Sequence, residues 1–450
     1  MKRMRIPIAV GILAAALGAT SASAATGPYL VKDIDASGSS NPQELTARGS
    51  TLFFTATGGG KGRELYRSDG TSGGTVRVKD IRPGSAGSHP RELTVAGARL
   101  FFAANDGSTG LELYVSDGTS AGTKRLTDIN PGSTRSDIWD LTNVRGTLFF
   151  FAYDASADRT ELWKSDGSAA GTRRVKRLFD GASLDGGSIA FEGKFYFGLG
   201  GHGGPGVRQG SIVFEGYGLW RSNGTAAGTA QFHAADGNAS YASELTRVGT
   251  GLYWRESGVT YVTYGTKAST TESTIGIPVA VGNRLFFTTY EETNGNTVLW
   301  VTPGDPGQSD PEPLAEFEPE SPLWQLTNVG GKLFFSASNG LADNQLHISD
   351  GTPEGTVPVQ GCCPDQADPR NITPIGSVAY FTALSLISCE EACDEEVWRS
   401  NGTDAGTFRL GDIRSGEQSS VPASLTNVGG TLYFTANDGT HGRELYRYIP

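Results

Sequence analysis

The stretch that decides the fold runs from residue 91 to residue 129 and reads RELTVAGARLFFAANDGSTGLELYVSDGTSAGTKRLTDI. It divides into four short runs of strand-forming residues: Glu92–Thr94, Arg99–Ala104, Glu112–Val115 and Lys124–Ile129. Asn105-Asp106-Gly107 follows the second run directly. Asp117-Gly118-Thr119 lies between the third run and the fourth. Asn, Asp and Gly favour tight turns because they tolerate positive φ. The stretch therefore predicts a small antiparallel sheet of four strands.

The same unit recurs along the chain. Its aromatic run, Leu52-Phe53-Phe54 in the first copy, returns at 100–102 and 148–150 with a spacing of 48 residues. Further copies are found at 195–197, 252–254, 285–287, 333–335, 379–381 and 432–434. Repeats of this size with four strands each predict an all-β protein, a β-propeller of nine four-stranded antiparallel blades. Only 33 residues separate Leu252 from Leu285, and without that fifth unit the count would be eight.

The two chain ends are expected to close the ring. Tyr29–Ile34 resembles a fourth strand that has no unit before it, and the chain stops soon after a third strand at Glu444–Arg447. Pairing these two segments would complete one blade and remove two exposed sheet edges. Residues 25–450 are therefore expected to form a single propeller domain.

The composition excludes several classes of protein. The 37 Lys and Arg against 48 Asp and Glu give a net charge of −11, which argues against a nucleic-acid partner. The 63 glycines and two methionines fit many short strands better than a helical bundle. Charged residues make up 19% of the chain, too few for a disordered protein, and apolar runs are too short for a transmembrane span. We expect a monomer.

The N-terminus is predicted to be a signal peptide of residues 1–24. Lys2, Arg3 and Arg5 precede a mostly apolar stretch from Ile6 to Leu17, and Ala22-Ser23-Ala24 supplies small residues for cleavage. Cleavage near Ala24 would give a secreted, periplasmic or cell-surface protein.

The third strand and the turn after it carry a family resemblance. Residues 161–168 read ELWKSDGS, and relatives of this octapeptide stand at 64–71, 112–119, 218–225, 345–352 and 396–403. The motif resembles the ELWxxDGT repeat of secreted and surface bacterial proteins. The resemblance is specific in the first three and last two units and loose from about 182 to 322. It implies export and a repeat scaffold, and it implies no reaction.

Two short motifs imitate catalytic signatures. Residues 70–74 and 118–122 match G-x-S-x-G, but a strand follows them where a nucleophile elbow needs a helix. The glycines at 198, 200 and 203 match G-x-G-x-x-G without a surrounding βαβ unit. No two histidines have zinc-ligand spacing, so we expect neither a metal nor a cofactor. The turn aspartates should cap their own turns, with calcium binding as the alternative.

All four cysteines fall in the eighth unit, at Cys362, Cys363, Cys389 and Cys393. Export would permit disulfides, and adjacent cysteines rarely bridge each other. We expect two bridges, each joining Cys362 or Cys363 to Cys389 or Cys393. A zinc site built from the four thiolates is the alternative.

Candidate binding residues lie on the face that carries the linkers between blades. Trp139 and Trp324 share one repeat position, just before the Leu-Thr of strand one, and should ring the mouth of the central channel. Arg91 has this position in the second unit, with His89 two residues earlier. The expanded Gly-rich hairpin from 197 to 218 adds two more candidates, which are His202 and Arg208.

These observations favour a non-enzymatic extracellular scaffold that binds a glycan or a protein through the linker face. Exposed indole rings suit stacking on sugars or anchoring a peptide. The first alternative is a carbohydrate-active enzyme, a lyase or glycosidase, which would need two carboxylates facing each other across a cleft. The second alternative is a structural cell-surface protein.

The acidic, Pro-rich stretch 304–322 is expected to be a solvated loop.

Overall fold

The computed structural model describes residues 27–450 except 133–135, 179–181, 185, 202–216, 235–241, 274–275, 292, 304–309, 319–322, 339–343, 360–365, 386–393 and 417. The signal peptide predicted at 1–24 therefore lies outside the described residues. Within the described residues the regular structure consists of 37 strands and two one-turn 3₁₀ helices, Lys267–Ser269 and Asp404–Gly406. No described helix has the length and apolar character needed to cross a membrane.

The strands β1 to β37, numbered in chain order, form nine antiparallel sheets. Strand β1 is Tyr29–Lys32. Blade 1 holds β2–β5, which are Gln43–Arg48, Thr51–Thr57, Arg63–Ser68 and Val76–Arg77. Blade 2 holds β6–β9, which are Arg91–Ala96, Arg99–Asn105, Leu111–Ser116 and Lys124–Arg125. Blade 3 holds β10–β13, which are Trp139–Val144, Thr147–Asp154, Arg159–Ser165 and Arg173–Arg177. Blade 4 holds β14–β18, which are Ala182–Ser183, Ser188–Phe191, Lys194–Gly201, Gly218–Ser222 and Thr229–Ala234.

The remaining five blades follow the same order from the channel outwards. Blade 5 holds β19–β22, which are Ser243–Val248, Gly251–Glu256, Val259–Thr263 and Thr271–Glu272. Blade 6 holds β23–β26, which are Val279–Val281, Arg284–Tyr290, Thr297–Pro303 and Glu312–Phe317. Blade 7 holds β27–β30, which are Trp324–Val329, Lys332–Ser338, Asn344–Ser349 and Val357–Pro358. Blade 8 holds β31–β34, which are Gln366–Ile375, Val378–Ser385, Asp394–Ser400 and Phe408–Arg409. Blade 9 holds β35–β37, which are Ala423–Val428, Thr431–Asn437 and Arg443–Tyr448, and takes β1 as its fourth strand.

The aromatic second strand explains why each blade is buried on both faces. Side chains alternate between the faces of a strand, so neighbours in the aromatic run enter different blade interfaces. Phe53 packs with Leu100 and Phe102 between blades 1 and 2. Leu52 and Phe54 pack instead between blades 9 and 1. A hydrophobic cluster of this kind lies at each of the nine interfaces.

The ring closes as the sequence predicts. Strand β1 pairs antiparallel with β37, with Tyr29 opposite Arg447 and Leu30 opposite Tyr446. The 33-residue fifth unit forms a complete four-stranded blade, which confirms nine blades rather than eight. Closure pairs β1 with β37, each of which would otherwise leave an exposed sheet edge.

The Ser-Asp-Gly-Thr turn, with Asn for Asp in blades 4 and 8 and Ser for Thr in blade 3, packs blades 1, 2, 3, 4, 7 and 8 against the blade before them. Asp69 Oδ1 accepts hydrogen bonds from the backbone N–H of Thr71 at 2.8 Å and from its hydroxyl at 2.7 Å. Gly70 has a φ of +89°, and a Cβ atom there would overlap the side chains of Arg447 and Tyr433 in blade 9. The motif is therefore a structural element, in which the aspartate caps its own turn and the glycine lets the preceding blade approach.

One expectation is wrong. Part of the acidic, Pro-rich stretch 304–322 is not a loop, since Glu312–Phe317 forms the outer strand β26 of blade 6. Pro313 lies in this strand opposite Trp300. An edge strand tolerates proline because one side of its backbone needs no sheet partner.

Candidate functional site

Seven of the nine innermost strands carry one residue in the left-handed backbone region at a β-bulge near the channel mouth. Four of these residues are acidic, namely Glu44, Glu92, Asp140 and Glu244. The other three are neutral, namely Gln325, Asn371 and Ser424. All seven have φ between +54° and +61°. Gly187 takes the position in blade 4. The acidic members belong to blades 1, 2, 3 and 5 and the neutral ones to blades 7, 8 and 9, so the mouth is unevenly charged.

In several blades the side chain at this position accepts a hydrogen bond from a backbone N–H of the next blade. Glu44 Oε2 accepts from the backbone N–H of Leu93 at 3.2 Å, and Glu92 Oε2 accepts from that of Asp140 at 3.1 Å. In blade 7 the amide oxygen of Gln325 accepts from Ile372 N–H at 3.0 Å. An uncharged amide performs the structural task, which therefore does not require a carboxylate.

Asp140 differs from the other members of the ring. Its Oδ1 accepts from the Ser188 hydroxyl at 2.8 Å, while its Oδ2 is buried with no hydrogen-bond partner among the described residues. Burial raises the pKa of this carboxyl above its usual value; the Ser188 hydrogen bond opposes the rise, and the nearby charge of Glu92 adds to it. A carboxyl group with a raised pKa beside a second carboxylate is the arrangement that separates an acid from a base.

Two of the predicted binding residues adjoin this pair in the sequence. Arg91 directly precedes Glu92, and Trp139 directly precedes Asp140. The Arg91 guanidinium lies 3.8 Å from Oδ1 of Asp137 on the linker of blade 3, and both groups are exposed enough to meet a ligand. His89 is exposed, and its ring nitrogen lies 3.0 Å from the carbonyl oxygen of Ala86.

The two tryptophans have the same repeat position but different surroundings. Trp139 pairs with Phe151 across β10 and β11, with ring centroids 6.4 Å apart, and is half-buried against the core between blades 3 and 4. Trp324 pairs with Ser336 in blade 7 and is 56% exposed. The two indoles are four blades apart, so only Trp139 adjoins the carboxylate pair.

The other predicted site residues lie outside the described residues. This applies to His202 and Arg208, and to Cys362, Cys363, Cys389 and Cys393. The described residues that border the cysteine segments are paired, with Gln366 opposite Ser385 and Ser385 opposite Asp394. The two disulfides therefore remain a prediction.

A second cluster of carboxylates lies in blade 8. Oxygens of Asp394, Glu396 and Asp412 come within 4.8 Å of one another. The guanidinium of Arg409 lies among them, 2.7 Å from Asp394 Oδ2 and 2.8 Å from Asp412 Oδ1. This cation supplies the positive charge that a metal would bring, so the cluster gives the calcium alternative no support.

Sequence reasoning missed the carboxylate pair. The acid before Leu-Thr is visible in the first, second, third and fifth units, at Glu44, Glu92, Asp140 and Glu244. Its regular recurrence resembles a structural repeat, and the sequence distinguishes Asp140 only by its shorter side chain. The distinction comes from Ser188, which is 48 residues away and is brought into contact by blade packing.

No protein-family model matches the chain, and no curated protein matches it either. The resemblance to the ELWxxDGT repeat therefore stays a prediction.

Among solved structures, a prolyl endopeptidase is 15% identical to this chain with a TM-score of 0.45, and the match covers 77% of this chain and 54% of that one. The chain thus spans about half the length of that endopeptidase. An oligogalacturonate lyase solved with manganese is 10% identical with a TM-score of 0.38, covering 92% of this chain and 89% of that one. A puromycin-hydrolysing peptidase of Mycobacterium tuberculosis is 11% identical with a TM-score of 0.40, covering 91% and 60%.

These comparisons correct one expectation. The non-enzymatic scaffold predicted from the sequence is contradicted, because the similar propellers belong to peptidases and a lyase. At these identities the likeness extends to the fold, and an activity has to be argued from the residues of this chain.

Proposed function

We propose that this protein is a glycoside hydrolase whose acid and base are Asp140 and Glu92. The observation that carries the proposal is the buried Asp140 Oδ2, which has no hydrogen-bond partner among the described residues and belongs to a carboxyl of raised pKa. Perturbed carboxyls at a channel mouth are more often found at active sites than elsewhere. The predicted signal peptide makes an extracellular polysaccharide the expected substrate.

The reaction would need both carboxyl groups in different protonation states. Asp140, whose protonated form is favoured by burial, would donate its proton to the glycosidic oxygen as the bond from that oxygen to the anomeric carbon breaks. Glu92, as a carboxylate, would take a proton from the water that attacks the anomeric carbon. Each turnover returns one proton to Asp140 and releases the one held by Glu92, so the proton balance closes.

The surroundings would orient the sugar. The half-buried Trp139 offers one face of its indole beside Asp140, and aromatic faces stack on sugar rings. The exposed ion pair between Arg91 and Asp137 supplies donors and acceptors for hydroxyl groups.

A purely structural role does not explain why an acid is retained at these positions. Gln325 makes the same bond between blades without a charge. Burying one oxygen of Asp140 without a partner costs about 1–3 kcal/mol. A substrate atom that hydrogen-bonds to this oxygen would offset that cost.

The test measures reducing-end release from a panel of neutral and acidic polysaccharides. Asp140→Asn and Glu92→Gln should each lower kcat by about 100-fold or more, because proton transfer is lost while the shape is retained. Glu44→Gln is the matched control, since it has the same backbone position and the same type of bond to the next blade. It should leave the rate unchanged.

Two results would overturn the proposal. One is a wild-type protein without hydrolytic activity on the whole panel. The other is an Asp140→Asn variant that folds, judged by an unchanged circular dichroism spectrum, and hydrolyses as fast as the Glu44→Gln control.

The tryptophan pair provides a second prediction on the same assay. Trp139→Ala should raise KM several-fold and leave kcat less affected, because stacking binds substrate and transition state alike. Trp324→Ala, at the same repeat position but four blades away, should change neither constant. Equal effects of the two substitutions would contradict the position proposed for the sugar.

A further inference from the structure

The hairpins between strands one and two form the channel mouth on the face opposite the linkers. The first turn residue of these hairpins has a positive φ in every blade. In seven blades it is a glycine with φ between +57° and +62°, namely Gly49, Gly97, Gly249, Gly282, Gly330, Gly376 and Gly429. Blades 3 and 4 have Arg145, at +52°, and Glu192, at +48°, instead.

Charged residues at these two positions carry a conformational cost. A side chain in the left-handed region costs about 1–2 kcal/mol relative to glycine, which adopts it freely. Glycine at this position in seven blades shows that the hairpin turn between strands one and two does not require a side chain there. Blades 3 and 4 are neighbours, and they replace this glycine with residues of opposite charge, Arg145 and Glu192. The two charged side chains therefore indicate a role other than turn geometry.

A cavity of about 320 Å³ lies at this place. Blades 3, 4 and 5 contribute its walls, which are Val144, Arg145, Ala190, Glu192, Gly193 and Arg247. Its volume falls at the lower end of ligand pockets, which range over about 300–1,000 Å³, and suits a molecule the size of a monosaccharide.

The side chains span the blades around the cavity. The Arg145 guanidinium lies against Gly193 of the next hairpin, where a Cβ atom would overlap it, and Glu192 lies in the same way against Gly265. Arg145 has neither a hydrogen bond nor an ion pair with the described residues. Arg247 donates from Nε to the Gly249 carbonyl oxygen at 3.3 Å, which leaves its terminal nitrogens for a ligand.

We propose that this cavity binds a small polyhydroxylated carboxylate, a sugar acid. The carboxylate would lie between Arg145 and Arg247, because guanidinium groups bind carboxylates through paired N–H donors. Glu192 would accept a hydrogen bond from a hydroxyl group of the same molecule. The site faces away from Asp140 and Glu92, so it is independent of the proposed hydrolase activity.

Calorimetry with glucuronate tests the site, with glucose and sulfate as comparison ligands. Glucuronate should bind, glucose should bind far more weakly because it lacks the carboxylate, and sulfate should bind more weakly because it gives Glu192 no donor. Absence of glucuronate binding would overturn the proposal. Sulfate binding as tight as that of glucuronate would overturn the assignment to sugar acids.

The substitutions Arg145→Gly and Glu192→Gly copy the turn of the other seven blades. Each should weaken glucuronate binding at least about tenfold, since a charge-assisted contact is lost. Each should leave Tm unchanged or raise it, because a strained residue is replaced by one that fits. Unchanged binding, or a clear fall in Tm that indicates a structural role for the two charges, would contradict the proposal.

Discussion

Blades 8, 9, 1, 2 and 3 form one arc of the ring, and blades 4 to 7 form the other. In the first arc the third strand buries a glutamate at one fixed register position, with at most 1% of its surface exposed: Glu396, Glu444, Glu64, Glu112 and Glu161. In the second arc the same position holds Gly218, Val259, Val298 and Gln345. Both arcs have four-stranded blades, so the glutamate is not needed for the blade itself.

In blades 1, 2, 8 and 9 the buried glutamate fixes the linker to the next blade, whereas Glu161 of blade 3 binds Arg174 and Arg177. Glu64 accepts hydrogen bonds from the backbone N–H of Ile81 and from both the N–H and the hydroxyl of Ser88. Glu112 accepts hydrogen bonds from the backbone N–H of Ile129 and from the hydroxyl of Ser136. Glutamate and serine are 24 residues apart in both blades. The comparison teaches that the constant repeat spacing of blades 1 to 3 reflects a constant anchor for the linker.

Removing the anchor should have the largest effect. Glu112→Val, which copies blade 5, should lower the free energy of unfolding by about 3 kcal/mol, because two buried donors lose their acceptor. Urea denaturation measures the change. The reverse substitution, Val259→Glu, puts the charge on a side chain that is 37% exposed and should have little effect. A loss below about 1 kcal/mol for Glu112→Val would show that the linker does not depend on the carboxylate.

The turn after the third strand offers a pair of adjacent glycines in blade 1. A Cβ atom on Gly74 would overlap the Asp69 carboxylate, whereas one on Gly73 would have nothing within 4 Å. Gly74→Ala should therefore destabilise the protein by about 2 kcal/mol, and Gly73→Ala should change stability by less than about 0.5 kcal/mol. Blade 5 builds its turn differently, with Thr266 and Ser269 capping a short 3₁₀ helix. Equal effects at the two glycines would contradict the aspartate-centred turn.

The pH dependence of stability provides a third test of the buried glutamates. Burial raises the pKa of Glu112 and of Glu396 to about 7, above the value of about 4.3 expected in the unfolded chain. Between these values the folded protein binds more protons than the unfolded chain, so stability falls as pH rises from about 4.5 to about 7. Thermal melts should give a Tm a few degrees higher at pH 5.5 than at pH 8.

The variant Glu112→Gln isolates one of these groups. It retains an acceptor but cannot titrate, so the slope of Tm against pH should become shallower. A Tm that rises across this pH range, or a slope that the substitution leaves unchanged, would contradict the assignment of the raised pKa.

The sequence predicts those features of the fold that depend on residues close together in the chain. Strand order, turn positions and ring closure all follow from short patterns such as Leu52-Phe53-Phe54 and from the two chain ends. The outer strand Glu312–Phe317 was missed because its acidic residues and prolines are typical of loops. An outermost strand faces solvent on one side and tolerates both.

By itself the sequence determined the nine blades and the closing pair of strands, because alternation of apolar residues and turn chemistry act within a few residues. Only the tertiary structure decided which of the repeated acids differs from the rest. Asp140 and Ser188 come from neighbouring blades, and the burial of one carboxylate oxygen depends on how these blades pack. The same holds for Arg145 and Glu192, whose shared cavity exists because three hairpins meet around the ring axis.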